Sequence, residues 1–357
     1  MRNFLYNLAT DKYKGIIAAA IKCFLFALSL IYGLIVNALV FVNGLRRRRL
    51  DCRVVSVGNI TLGGTGKTTL VEYIAVYLKS KGHKIAVLSR GYKRKAGLKS
   101  FGPNSPQAMG DEAYMLSKKL SGIPVLVDTD RIRSANAAIG DYGADTVILD
   151  DGFQQWRINK DLEVVTINAA NPFGNGCLIP RGILREGLSA LKRADIFVLA
   201  KTNLSTEQGL AEKALKKYNP RALIVKSIHQ AEGFYDIKNP QKILSKDALK
   251  GQTVALFCGI GDPGSFEGLI VGLGIRIGLS FRFPDHHAYT AQDLEKIIHD
   301  CGTKNINTVI TTDKDASRCD FALFATYLVS VLVLRIRLEI TENADGFHNR
   351  LLDLYSL

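Results

Sequence analysis

At 357 residues the chain is long enough to bury a substantial core and exceeds one domain of ordinary size, so two domains are expected. Lys and Arg number 47 against 33 Asp and Glu, a formal charge of +14 that favours contact with an anionic membrane, nucleic acid or a phosphorylated substrate. The cysteines (Cys23, Cys52, Cys177, Cys258, Cys301 and Cys319) lie far apart, with no CxxC pair and no Cys/His spacing suited to zinc; this excludes a disulfide framework and leaves reduced packing residues of a cytosolic protein.

From Gly15 to Val42 the chain is nearly all apolar, broken by Lys22, and Cys23–Val42 alone is about long enough to cross a bilayer as a helix. Arg46, Arg47, Arg48 and Arg49 follow at once. A cleaved signal peptide fits poorly, because the apolar run is too long, no small-residue cleavage site follows, and the basic cluster sits on the wrong side. Lys22, Ser29, Gly33 and Asn37 share one helix face and give the segment a mildly polar seam. The helix is expected to be membrane-attached, spanning or lying in the interface, with a buried core helix as the plain alternative. The positive-inside rule places the arginines, and the domain after them, in the cytoplasm.

Next come short apolar runs that read as strands: RVVSVG (53–58), KIAVLS (84–89), IPVLV (123–127), TVILD (146–150), LEVVTI (162–167), DIFVLA (195–200) and ALIVKS (222–227). Helical stretches with short links alternate with them, which implies an α/β fold with a mostly parallel sheet covered by helices on both faces. Ligands of such sheets sit at the carboxyl ends of the strands, where each motif below falls.

After the first strand stands GNITLGGTGKTTL, a P-loop, which makes the fold P-loop NTPase-like. Gly63, Gly64, Thr65 and Gly66 would turn backbone N–H groups onto phosphates, Lys67 would reach the β and γ oxygens, and Thr68 could ligate Mg²⁺, with Thr69 completing the loop. Thr61 stands where the strict pattern has glycine. Leu62 stands where the positioning ATPases carry a signature lysine, and Ala200-Lys201-Thr202-Asn203 lacks the Asp of a guanine clamp. Both classes are weakened, and a kinase, a membrane-associated P-loop switch ATPase and a P-loop module that binds nucleotide only to organise partners stay open.

Asp150 and Asp151 end the fourth run, where an acid would meet the metal held by Thr68; a helix cap is the plain alternative. Asp111 and Glu112 open an amphipathic helix, where Asp111 is either a cap or the base for a hydroxyl nucleophile. NPFGNGCLIPRGILREGLSALKRAD is too rich in Gly and Pro for a plain connection and reads as a substrate or metal loop.

Beyond about Ser227 the pattern restarts, with TVALFCGIG (253–261), a helix after Pro263, IRIGLSFRF (275–283), a helix from Thr290 with Asp293 in capping-box position, and NTVITT (307–312). YLVSVLVLRIRLEI (327–340) carries alternating charges and reads as a strand, not a second membrane span.

Taken together, VGNITLGGTGKTTL, SRGYKRK, GDEAYML, DTDRIRSA, LDDGFQQWR, FGNGCLIPRGILRE, FPDHHAYT and TTDKDA closely resemble the tetraacyldisaccharide 4′-kinases, the lipid A 4′-kinases of Gram-negative bacteria. The resemblance implies an enzyme on the cytoplasmic face of the inner membrane that uses ATP and Mg²⁺ to phosphorylate the 4′-hydroxyl of the lipid A disaccharide 1-phosphate among membrane lipids, with no nucleic-acid partner. Carried onto this chain, it makes Lys67 and Thr68 the phosphate and Mg²⁺ residues and Asp111 the catalytic base, assisted by His286. Asp150, Asp151 and Glu186 match acids that handle metal and phosphate, and Arg90, Tyr92 and Arg131 match residues lining the active cleft. Gln155 replaces a usual histidine, Asp313 a usual glutamate, and Arg181 and Ile183 a usual alanine and proline. The expected division is a helix and basic cluster over 1–50, a kinase domain over 51–227, a smaller α/β domain over 228–340 joined through a two-strand hinge near 227–236 and 334–340, and a tail over 341–357.

Overall fold

The computed structural model describes residues 8, 13, 15–91, 106–204, 208–319 and 329–356. In chain order the elements are α1 (Ile16–Leu45), β1 (Arg53–Gly58), α2 (Lys67–Ser80), β2 (Ile85–Ser89), α3 (Asp111–Lys119), β3 (Val125–Val127), α4 (Arg131–Tyr142), β4 (Thr146–Asp150), β5 (Leu162–Asn168), β6 (Ile196–Ala200) and α5 (Gln208–Tyr218). They continue with β7 (Leu223–Asp236), β8 (Asn239–Ser245), β9 (Thr253–Cys258), α6 (Pro263–Gly272), β10 (Arg276–Arg282), α7 (Ala291–Thr303), β11 (Thr308–Thr312), β12 (Ser330–Glu342) and α8 (Ala344–Leu352).

The chain forms two compact units. The first holds residues 1–90, 122–228 and 340–357, and the second holds 91–121 and 229–339. This differs from the contiguous ranges expected from sequence: residues 91–121, with α3, belong to the second unit. β7 and β12 each pass from one unit to the other, which is why the boundaries fall inside strands.

In the first unit the strands run β7-β6-β5-β1-β4-β2-β3, every neighbouring pair parallel. β1 lies between β4 and β5, and its register sets Val57 opposite Asp150. The strands are apolar throughout because helices cover both faces: Ile60, Phe153, Val165 and Phe197 pack on one side, and Val54, Ala86, Leu88 and Val147 in another cluster. Gly58 closes β1 where a β-carbon would lie 2.5 Å from Phe153, so only glycine lets the segment after β4 cross so tightly.

Among the described residues α1 is the one helix long and apolar enough to cross a membrane. It presents Phe24, Leu34, Phe41 and Leu45 to solvent while burying Leu25, Ser29, Gly33 and Val36. The buried stripe includes Ser29 and Gly33 of the polar seam, whereas Asn37 is exposed. Ser29 Oγ donates to Leu178 O at 2.9 Å and accepts from Arg181 N at 3.1 Å, and Tyr32 donates to Arg185 O at 3.0 Å. At Gly33 a β-carbon would stand 2.8 Å from Leu178 Cδ1. The seam is a docking face onto the Gly/Pro-rich loop over 173–186.

In the second unit β10-β9-β11-β12 form a parallel set, and β8 pairs antiparallel with the end of β7. Its core gathers Phe234, Leu256, Phe266 and Leu334 on one face and Phe257, Leu294 and Val309 on the other. Thr290 caps α7 through a capping box with Asp293, and Asp262 caps α6. The cysteines are all free.

Candidate active site

The phosphate-binding loop spans 59–66, between the end of β1 and the start of α2. Gly63 and Gly66 have φ of 110° and 80°, backbone that a side chain would strain and that turns successive N–H groups to one side. Thr65 Oγ1 bonds Thr166 Oγ1 at 2.7 Å, Thr166 Oγ1 donates to Gly58 O at 3.1 Å, and Thr69 Oγ1 donates to Gly66 O at 2.8 Å. Those hydroxyls brace the loop, and what Thr65 and Thr69 can offer a phosphate is backbone N–H. Among the described residues, β-carbons at Gly63 and Gly64 would meet nothing within 4 Å, which leaves that side of the loop open. An open loop, a lysine and a helix N-terminus make a donor set that fits a polyphosphate.

Asp151 follows β4 with φ 54°, a conformation uncommon for a residue with a β-carbon. Its carboxylate lies 3.6 Å from Lys67 Nζ and accepts both terminal nitrogens of Arg185, at 2.7 and 3.1 Å. Burial alone would raise its pKa, but Lys67 and then Arg185 outweigh it and bring it down to about 2. Asp150 is buried at the end of β4 and accepts from Ser89 Oγ at 3.3 Å.

Glu186 is only 2% exposed, and its carboxylate accepts Arg193 NH1 and NH2, each at 2.9 Å, and Gln154 Nε2 at 3.0 Å. The expected metal set of Thr68, Asp150, Asp151 and Glu186 is not gathered into one cluster; among the described residues no group of three or more His, Cys, Asp or Glu is placed to hold a metal. Bidentate pairing explains the difference, since an arginine beside each of Asp151 and Glu186 occupies the oxygens. Arg131 is also buried: its NH1 donates to Asp128 O, and among the described residues its Nε has no hydrogen-bond partner. Burial brings its pKa down to about 10. Arg90 is exposed just after β2, and Tyr92 lies outside the described residues.

The second unit carries the residues expected to do acid–base work. Asp111 opens α3, but Gly110 holds the cap position and no side-chain cap bond forms there. The carboxylate accepts Arg318 Nε at 2.7 Å, and His286 Nδ1 stands 3.7 Å from the same oxygen, an electrostatic contact longer than a hydrogen bond. His286 lowers the pKa of Asp111 most, partial burial opposes it, and Arg318 adds to the lowering. His286 is itself in left-handed backbone, φ 63°, and its N–H donates to Gly259 O at 3.0 Å. The structure therefore brings Asp111 and His286 together, and it adds Arg318, which sequence reasoning missed. TTDKDA was visible as a motif ending two residues before Arg318, but nothing in its spacing points to a residue 207 positions away.

A family model described as tetraacyldisaccharide-1-P 4′-kinase matches residues 21–356. The tetraacyldisaccharide 4′-kinase of Halothermothrix orenii is 35% identical over 97% of this chain and 96% of its own length, and that of Elusimicrobium minutum is 38% identical over 82% and 81%. Among solved structures, the "apo" form of LpxK from Aquifex aeolicus in complex with ATP has a TM-score of 0.73 and 26% identity, covering 94% of this chain and 99% of that one. A P-loop with its acid–arginine clamp, a separate Asp–His pair and these end-to-end matches lead to one conclusion: the chain belongs to the tetraacyldisaccharide-1-P 4′-kinase family.

Proposed function

We propose that this chain transfers the γ-phosphoryl group of ATP to the 4′-hydroxyl of a tetraacyldisaccharide 1-phosphate in lipid A biosynthesis. The observation that carries the reading is the division of labour between its residues: one set suits phosphate and another suits a hydroxyl proton. Lys67 and the N–H groups of 63–69 bind and orient the β- and γ-phosphates. Asp151, held by Arg185, keeps Lys67 placed. Asp111 accepts the hydroxyl proton, and His286 assists it.

When bound, Mg²⁺ would neutralise phosphate charge, and Thr68 and Asp150 are the residues that would hold it, since it takes only one or two protein oxygens beside phosphates and water. Asp151 and Glu186 then serve as positioning acids, consistent with their arginine partners. Arg131, with its orphaned buried Nε, is a donor that a bound anion would satisfy.

The apolar face of α1 and Arg46–Arg49 favour attachment to the cytoplasmic face of the inner membrane, where an acylated acceptor resides. The test is transfer of label from γ-labelled ATP to a defined tetraacyldisaccharide 1-phosphate in detergent micelles. Phosphate on the 4′-hydroxyl supports the reading; ATP hydrolysis with no labelled lipid overturns it in favour of a switch ATPase.

A further inference from the structure

Asp315 is fully buried at 0% exposure, in the turn after β11. It accepts Gly259 N–H at 2.9 Å, Tyr289 O–H at 2.9 Å and Thr312 O–H at 2.7 Å, and stands 3.6 Å from Arg318 NH1. A carboxylate without solvent must be satisfied by such donors, and in return it fixes the cation beside it. Arg318, whose side chain is 5% exposed, also donates NH1 to Gly259 O at 3.1 Å. The same turn adds Lys314–Glu112 at 2.5 Å and Lys119–Asp313 at 2.7 Å, so three ion pairs tie it to α3.

A guanidinium has donors only and stays charged. Arg318 NH2 lies 3.3 Å from His286 Nδ1, so that nitrogen must present its lone pair. The neutral imidazole then carries its proton on Nε2, the nitrogen 3.9 Å from Asp285 Oδ2. Nδ1 has one lone pair, which Arg318 engages, and it lies 3.7 Å from Asp111 Oδ2.

We propose that Arg318, anchored by Asp315, is a positioning residue of the transfer reaction: it aims the Asp111 carboxylate and holds the His286 ring with its proton on Nε2. This rests on the reading of Asp111 as base. In the step, the hydroxyl oxygen bonds the γ-phosphorus and the bond from that phosphorus to the β-bridging oxygen breaks, releasing ADP. The hydroxyl proton passes to Asp111, which returns it to solvent before the next turnover. Asp285 faces the ring from the other side. The remaining charges around the pair, Glu112, Lys314, Lys119, Asp313 and Asp315, are each engaged in the contacts above.

The experiment compares full-length wild type, Arg318→Ala and Arg318→Lys for kcat and KM across pH, with ¹⁵N NMR of histidine-labelled protein to read the His286 ring. Arg318→Ala should lower kcat by about 10–10²-fold with KM for ATP little changed, because the phosphate loop is untouched. The acid limb of its kcat profile should move to higher pH, since Asp111 loses a neighbouring cation. The His286 resonances should lose the Nε2-protonated signature, and Arg318→Lys should restore part of the activity and most of the limb. If Arg318→Ala folds poorly, the limb and tautomer of Arg318→Lys, set against wild type, carry the same test through smaller shifts. An unchanged limb and tautomer, with activity falling only as folded protein falls, would reduce Arg318 to a structural brace and overturn the inference. Absence of lipid product from wild type would instead overturn the kinase reading itself.

Discussion

Arg185 grips both oxygens of Asp151, at 2.7 and 3.1 Å, and so decides what the acid just after β4 can do. A carboxylate bound this way is a poor open metal ligand and a good fixed counter-charge for Lys67. Arg185→Ala should therefore raise KM for ATP by about ten-fold and lower kcat as well, because Lys67 is no longer placed. Steady-state kinetics with ATP varied at saturating lipid check it. Unchanged kinetics would mean that the clamp has no part in phosphate handling.

The same acid has a pH signature. Asp151 titrates at about 2 in the folded chain and near ~3.9 in an unfolded one. A depressed carboxylate contributes stability that is present above the unfolded value and lost as the pH falls through the folded one. Urea denaturation from about pH 5 down to about pH 2 should show wild type losing stability, and Asp151→Asn losing less over that window. Asp111, also lowered, remains in the variant, so the slope should flatten without vanishing. Identical slopes would show that Asp151 is not held ionised.

Lys67→Ala removes a cation from the phosphates and none from the core. Transfer should fall by about 10²-fold or more while the melting temperature changes little. A variant that turns over at wild-type rate would remove the P-loop from the mechanism.

Asp111→Asn keeps size and most hydrogen bonding but cannot take a proton, so kcat should drop by about 10²–10⁴-fold with ATP affinity nearly constant. His286→Ala should also lower kcat, and the double variant should cost less than the two barriers summed, because groups acting as a unit are not additive. Single-turnover kinetics on the four proteins complete the cycle. Full additivity would show two independent roles.

Gly33→Leu tests the docking of α1. Its side chain would drive into Leu178, 2.8 Å from where a β-carbon starts, and overpacking of this kind costs about 1–3 kcal/mol. The protein should still pellet with membranes at high salt, since the exposed apolar face is unchanged, yet transfer should weaken several-fold because the loop over 178–185 leads directly into Arg185. Activity equal to wild type would show that the helix is only an anchor.

Much of this was legible in the chain itself. Alternating apolar runs defined the parallel sheet, because a strand covered on both faces must be apolar throughout, and the predicted ranges fall within a few residues of β1 to β6 and β9 to β11. The P-loop was legible because its glycines act locally, each through its own φ. What tertiary structure alone decided was pairing at a distance. Ser29 with Leu178, Arg193 with Glu186 and Arg318 with Asp111 follow no short-range period, so a motif can announce an acid without saying which cation will claim it. Glu186 and Arg131 entered the expected site through the resemblance, and their burial and partners appear only once the fold has closed around them. The grouping of α3 with residues 229–339 has the same cause: covalent order places Asp111 between β2 and β3, but the ion pairs of α3 are to the turn over 313–318.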